Sequence, residues 1–409
     1  MEAPPVASGS PVRLWVVANV RLVAAVKLLA SDEQAGMLDA TVKRANAARC
    51  WIAERGHAER CLGRSALHRL TYYQARERFG LCAQMAVRAI GSVVECFSRD
   101  RRVVPRFRAR AAFPYDNRIL AVHPDRSEVS IWTVAGRQTI PFVAGRRQQW
   151  LLEQALSFGE SDLRPVVGGR WMLDITVELE APDPYEPGGW LGVDLGVVNI
   201  AVDSDGNRAA GGHLNGLRRR HRRLRGRLQK LGTRSARRRL RDRSGRERRF
   251  ATDVNHRIAK ELVRRAERAG RGIALEDLKG IRGRIRARRS QRGALHSWAF
   301  AQLKQLILYK AALAGVPVDA EVDPRNSSRQ CPRCGHTSKR NRPSQARFRC
   351  LGCGHHGHAD HIAASNIAGR AAVNRPNVPG DDHLSARRSR DKPTALAVVV
   401  DLTNPGGIA

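Results

Sequence analysis

Acidic and aromatic side chains are scarce in this chain. Phe, Trp and Tyr make up 5% of the 409 residues, and 38 Asp and Glu stand against 73 Lys and Arg, giving a formal net charge of +35. The hydrophobic share of 42% is ordinary, so the shortage of aromatics does not prevent a sizeable core. The shortage of acids means far more positive charge than solubility needs. It calls for a polyanionic partner, nucleic acid before a membrane surface. Long apolar runs are also lacking. None approaches the roughly 20 residues of a transmembrane helix, which argues against a membrane protein. The start, Met-Glu-Ala-Pro-Pro, lacks the basic-then-apolar order of a signal peptide, so the expected compartment is cytoplasmic. The length suggests two or three domains of about 150 residues each.

Against that background, Trp190-Leu-Gly-Val-Asp-Leu-Gly-Val-Val-Asn-Ile-Ala-Val202 stands out as an almost unbroken apolar run holding one carboxylate, Asp194. Such a run reads as a strand buried on both faces. A lone acid there is costly unless it binds a cation or is otherwise paired. Asp194 is therefore a candidate metal ligand, with a hydrogen-bonded core Asp as the alternative. Gly192 and Gly196 leave room for something bulky, such as a phosphate backbone, to approach.

The N-terminal half reads as a β-barrel interrupted by helices. Residues 1–10 are small and Pro-rich and expected to be disordered. Val12–Ala30 reads as strand, and Ser31 as the N-cap of a helical block running to about Arg99. Cys50, Cys61, Cys82 and Cys96 fall in that block and read as small buried hydrophobes. From Arg101 the texture turns to β. Glu128–Val134 alternates, and Trp171, Leu173, Ile175, Val177 and Leu179 form a period-two face. The Pro-rich linker 181–189 marks a domain boundary.

In the C-terminal half, Asp203-Ser-Asp-Gly206 reads as a hairpin turn rather than a metal site. His213–Arg249 is a basic helix or helical hairpin, with Leu217, Leu224, Leu228 and Leu231 at helical spacing. Its like charges, Arg218, Arg219, Arg220, Arg222, Arg223, Arg237, Arg238 and Arg239 among them, repel one another without a polyanion, so they are candidate phosphate contacts. Thr252-Asp253 reads as the cap of another helix, leading to a short buried strand, Gly272–Leu278. There Glu276 is the second candidate ligand, and Asp277 the adjacent alternative. A second basic loop spans Lys279–Arg292, Ser297–Gly315 is helical and Val316–Val322 is a strand.

Cys331-Pro-Arg-Cys334-Gly and Cys350-Leu-Gly-Cys353-Gly are then separated by fifteen residues. Two matched knuckles, each followed by Gly, suit a closed tetrahedral Zn2+ site with a structural role. His336, His355, His356 and His358 are nearby and read as phosphate contacts rather than ligands. Asp360 opens a helix, as a dipole partner or a third acidic ligand. The chain from Ala371 is expected to be disordered, and the apolar stretch Ala395–Leu402 is too short to span a membrane.

This order of motifs resembles the RuvC-like nucleases of the TnpB family and the compact type V CRISPR effectors. The matching residues are Gly192-Val-Asp-Leu-Gly196, Asp253-Val-Asn-His256 with Ile273–Leu278, Val322–Gly335 into the knuckles, and Asp360 with Ala363, Ala364 and Asn366. Trp298, Phe300, Leu303, Tyr309 and Lys310 fit the family's helix before the ribbon. The likeness covers about residues 170–370, and the N-terminal half fits in layout. Two departures are Ile362, where the family usually has Asn, and Asn326-Ser327-Ser328, where it usually has Tyr-Thr-Ser.

The resemblance implies an α+β multidomain fold. A wedge-like β-barrel (11–30 and 101–185) carries an inserted helical recognition domain (31–100). An RNase H-like RuvC α/β domain (186–324 and 355–370) follows, with an inserted zinc ribbon (325–354). It also implies that Asp194, Glu276 and Asp360 are catalytic and hold two Mg2+ ions to hydrolyse DNA at a target set by a guide RNA. The guide would be a transposon-end RNA or a CRISPR RNA, and the target double-stranded DNA beside a short flanking motif. The protein would act as a monomer or homodimer on one RNA, in a prokaryotic cytoplasm and on the nucleoid when target-bound. A guided DNA-binding repressor and a structural RNA-binding zinc-ribbon protein are the competing readings.

Overall fold

A computed structural model describes residues 19–166, 168–277 and 300–373. The disorder expected at residues 1–10 and after 373, the basic loop Lys279–Arg292, Trp298 and the stretch Ala395–Leu402 lie outside the described residues. The described chain falls into two compact units, 19–180 and 181–373. No helix among these residues is long and apolar enough to cross a membrane.

The first unit is a sheet with helices inserted after its first strand. In β1 (Val20–Leu28), Val20, Leu22, Ala24, Val26 and Leu28 are buried in alternation. The described strand is shorter than the expected Val12–Ala30. Helices α1 (Asp32–Ala58), α2 (Arg64–Phe79) and α3 (Ala83–Arg99) follow. A capping box starts α1: Gln34 N–H donates to Ser31 Oγ, and Ser31 N–H to Gln34 Oε1. The four cysteines of this block are half-buried rather than buried. Cys50 is engaged with the backbone of Phe107, from whose N–H it accepts at 3.2 Å.

The sheet continues with β2 (Phe113–Tyr115), β3 (Leu120–His123), β4 (Glu128–Thr133), β5 (Gly136–Val143), helix α4 (Arg146–Glu153), β6 (Ser157–Phe158), β7 (Ser161–Val166) and β8 (Arg170–Leu179). Strand order is β2-β7-β8-β1-β5-β4-β3, with β6 on β8. The edge strands β2 and β3 are joined by residues 116–119 alone. Trp132 N–H donates to Ile119 O, and Tyr115 Oη to Trp132 O, so the sheet forms a nearly closed barrel.

The second unit contains β9 (Trp190–Asp194), β10 (Asn199–Asp203), β11 (Arg208–Ala210), α5 (Gly212–Leu231), α6 (Arg234–Arg268), β12 (Gly272–Glu276), α7 (Phe300–Leu313), β13 (Val318–Val322), β14 (Arg347–Arg349), β15 (His356–His358) and α8 (Ala359–Val373). Five strands make one sheet, ordered β11-β10-β9-β12-β13, with β9, β12 and β13 parallel. Parallel neighbours need a long crossover. Here α5 and α6 lie between β11 and β12. Helix α8 extends to Val373, past the point where the order of the chain was expected to end.

Three further expectations need correction. Thr252 does not cap a helix. It lies within α6, whose buried residues Asn255, Ala259, Leu262, Val263 and Ala266 continue beyond it, and its hydroxyl accepts from Gln302 Nε2. The break comes earlier, at left-handed Gly232, and Thr233 is the cap, accepting from Ala236 N–H. Leu231 is 64% exposed and so leaves the expected apolar stripe. Gly192 and Gly196 hold no open space for a ligand. A Cβ on Gly192 would lie 2.1 Å from Ala364 O and 2.5 Å from Ala368 N, so the missing side chain lets the α8 backbone lie directly on β9. A Cβ on Gly196 would lie 2.7 Å from Asn199 O.

Because backbone cannot step aside as a flexible side chain can, Gly192→Ala is expected to destabilise this unit by about 1–3 kcal/mol. Urea unfolding followed by circular dichroism measures this against wild type.

Candidate active site

Strand register brings the first two acids together. On β12 and β9, Ala274 pairs with Gly192 and Leu275 with Val193, so Glu276 and Asp194 end two adjacent parallel strands side by side. Gly192, two residues before Asp194, shares its face of the sheet. That face is covered by α8 through Ala364 and Ala368. Asp360 lies one turn before Ala364 on the same helical stripe and is thereby carried to the strand ends.

The electrostatics record the meeting. Burial, then the charges of Glu276 and Asp360, push the Asp194 carboxyl up to about 8, against an opposing pull from Arg342. Glu276 is also raised, by burial first, with Asp323 adding and Ser327 and Arg370 opposing. Of the adjacent acids Glu276 and Asp277, Glu276 is the one whose charge acts on Asp194. Each outer acid has a neutral donor on one oxygen. Ser327 Oγ donates to Glu276 Oε1 at 2.7 Å, and Asn199 Nδ2 to Asp360 Oδ2 at 2.9 Å. The Arg342 guanidinium stands 3.5 Å from Asp360 Oδ1.

Three carboxylates in a part-buried pocket form a hard oxygen donor set short of positive charge, which fits divalent cations such as Mg2+. Asp203 and Asp205 are elsewhere engaged, as turn chemistry requires. Asp203 accepts from the N–H groups of Asp205 and Asn207 and pairs with Arg265, and Asp205 pairs with Arg271.

The four cysteines of the knuckles converge separately. Their sulfurs all lie within 4.8 Å of one another, and among the described residues this is the only group of three or more metal-capable side chains so close. Gly335 and Gly354 take φ of +72° and +73°, letting their N–H groups fold back onto Cys331 O and Cys350 O. Four thiols in this arrangement could hold Zn2+. The three acids are spaced more openly than such a closed cage. His336 and His356 are exposed and stand outside the cysteine group.

Among the expected phosphate contacts, Arg219, Arg220, Arg222, Arg223, Arg237, Arg238 and Arg239 are exposed on α5 and α6. Arg218 is half-buried, and burial lowers its pKa while Glu247 opposes. The two helices are linked by Glu247, which meets His221 at 3.0 Å and Arg225 at 3.2 Å.

Asn199, Ser327, Arg342 and Asn366 had no assigned part in the site from sequence reasoning. Ser327 and Asn366 were visible as motif positions. Nothing local marks Asn199 or Arg342, whose neighbours come from 161 and 18 residues away in the chain.

Residues 300–367 match a family model described as "Cas12f1-like, TNB domain". Curated relatives with Cas12f and TnpB-like names match parts of the chain as well. In particular, the chain is 40% identical over 120 residues to the CRISPR-associated endodeoxyribonuclease Cas12f1 of Sulfoacidibacillus thermotolerans, covering 29% of this chain and 27% of that one. It is 34% identical over 125 residues to a TnpB-like protein of Methanocaldococcus jannaschii, covering 30% and 44%. The chain spans 27% to 60% of the length of the curated relatives it matches. The fold resembles that in a cryo-EM structure of a Cas12f1–sgRNA–target DNA complex, with a TM-score of 0.58, 16% identity and 83% of each chain covered.

The raised Asp194 pKa makes a stability prediction. Its carboxyl is protonated in both states below the unfolded value of 3.8, and it stays protonated in the fold up to about 8. The folded state therefore binds more protons between those values, and metal-free protein should lose stability as pH rises from 3.8 towards 8. Asp194→Asn should flatten that slope, as read from denaturant midpoints in chelator across the window.

Proposed function

We propose that the chain is an RNA-guided DNA endonuclease with a RuvC-like, RNase H-like catalytic centre made by Asp194, Glu276 and Asp360. The observation that carries the reading is the meeting of these three acids from widely separated positions: Asp194 and Glu276 end two adjacent parallel strands, and the charge of Asp360, in the first turn of α8, acts on Asp194. Relatives named as endodeoxyribonucleases, and a fold shared with an RNA- and DNA-bound effector, support it.

Two Mg2+ ions bound there would supply stabilisation of the attacking and leaving oxygens in phosphodiester hydrolysis. The chain's own residues set the stage. Asp194 is the buried central carboxylate, while Ser327 and Asn199 fix one oxygen each of the outer acids. Arg342 sets a positive charge beside Asp360. The exposed arginines of α5 and α6 neutralise phosphates of the guide or heteroduplex without reading sequence. Cys331, Cys334, Cys350 and Cys353 would hold a structural Zn2+ that would close the ribbon of 325–354. The barrel and its inserted helices, residues 19–180, act as wedge and recognition domains for guide RNA and the flanking DNA motif, in a prokaryotic cytoplasm.

Arg342 also favours a second reading, in which the protein binds a guided target without cutting. A cation already set against Asp360 competes with metal. However, 3.5 Å is longer than the roughly 2.7–2.9 Å of a charge-assisted hydrogen bond. The guanidinium's closer partner is the backbone of Gln345, to whose carbonyl it donates at 2.7 Å.

With purified protein–RNA complex, matched duplex and Mg2+, wild type should cut. Asp194→Ala should lose at least about a thousandfold in rate, about 4 kcal/mol of barrier, and keep RNA and target binding. Cutting at the wild-type rate by that variant would sink the assignment. Tight binding with uncut DNA in the wild type would favour the second reading.

A further inference from the structure

The segment leaving β13, Asp323 to Gln330, has no regular structure, yet its polar groups are heavily engaged. Asp323 Oδ1 accepts from Arg325 N–H at 2.9 Å. Asn326 takes φ +57°, a left-handed conformation that Asn tolerates better than most residues. Its carbonyl accepts from the N–H groups of Arg329 and Gln330, while Ser327 N–H donates to Pro324 O. The resulting turn buries Ser327, which is 7% exposed, and delivers its hydroxyl to Glu276 Oε1 at 2.7 Å.

Helix α8 holds the turn in place. Asn366 Nδ2 donates to Ser327 O at 2.6 Å and to Gln330 O at 2.8 Å. One turn further on, Arg370 donates to Asp323 O at 2.6 Å and to Gln330 Oε1 at 2.7 Å. The helix that carries Asp360 thus also braces the turn that holds Glu276.

Glutamate has three side-chain torsions, and a ligand must keep one orientation to hold a small ion with strict octahedral demands. A donor on one carboxylate oxygen fixes the group and leaves the other oxygen for metal. We infer that Ser327 is a positioning residue, whose hydroxyl orients Glu276 to bind a divalent cation and is itself set by Asn366. The inference rests on the reading of Glu276 as a metal ligand. It gives a role to Asn326-Ser327-Ser328, where the resembled family usually has Tyr-Thr-Ser: a hydroxyl is kept at 327.

The test uses the full protein–RNA complex, with Mn2+ binding measured by calorimetry and single-turnover cutting measured across Mg2+ concentrations. Ser327→Ala should weaken Mn2+ affinity about tenfold and raise the Mg2+ concentration for half-maximal cutting by the same factor. Guide RNA affinity should not change. Ser327→Thr should restore both metal readouts, and Ser328→Ala should leave them at wild type. Should the Ala variant fail to fold, Ser327→Cys, of similar size but a weaker donor, should fall between Thr and wild type on one side and loss on the other.

Unchanged Mn2+ affinity in both Ser327→Ala and Ser327→Cys overturns the inference, and so does a Thr variant as weak as Ala. Glu276→Gln separates the two levels. If it too leaves Mn2+ affinity unchanged, the ligand reading of Glu276 has failed. If it weakens binding while Ser327→Ala does not, only the positioning role is lost.

Discussion

Three carboxylates brought together at one end of the sheet, with Asp194 deeply buried among them, are the constraint from which the second unit is best understood. Burying acids is costly, and placing them together adds repulsion. Part of that cost is offset locally. Ser327 and Asn199 each donate to one outer acid, while Arg342 lends positive charge to Asp194 and Arg370 to Glu276. The remainder shows in Asp194, whose carboxyl holds its proton far above its ordinary range. Strongly perturbed acids of this kind mark functional sites more often than structural ones, and here the physical cause is identifiable.

The fold meets this constraint with few elements. Parallel pairing of β9 and β12 aligns two strand ends, and the missing side chain at Gly192 lets α8 lie against β9. Four-residue spacing along α8 then links Asp360 to the Ala364 and Ala368 contacts, while Asn366 and Arg370 on the same helix grip the turn after β13. The cysteine ribbon is inserted between that turn and α8. Through Arg342, the insertion therefore sets a side chain beside the acids and does more than decorate the sheet.

Much of the local structure was legible because its signals are short-range. The alternation of β8, the N-cap at Ser31 and the two knuckles each depend on residues a few positions apart. The misreadings share one cause. Thr252-Asp253 has the chemistry of a cap, but a helix ends only where the backbone also breaks, and packing of α6 against α7 carries the helix through. Leu231 has the right spacing but sits in the last turn of α5, where it stays exposed. Gly192 announces a missing side chain without saying what fills the space.

Sequence alone determined which residues are unusual: an acid inside an apolar strand, another at a strand end, a third at a helix start, four paired cysteines and an excess of arginine. It also determined the order of elements, because periodicity and turn chemistry are properties of neighbours. Only the tertiary structure decided that the three acids share one pocket, and that Asn199, Ser327, Arg342 and Asn366 attend them. Those pairings depend on strand register and helix packing, which join residues too far apart in the chain for any local pattern to record.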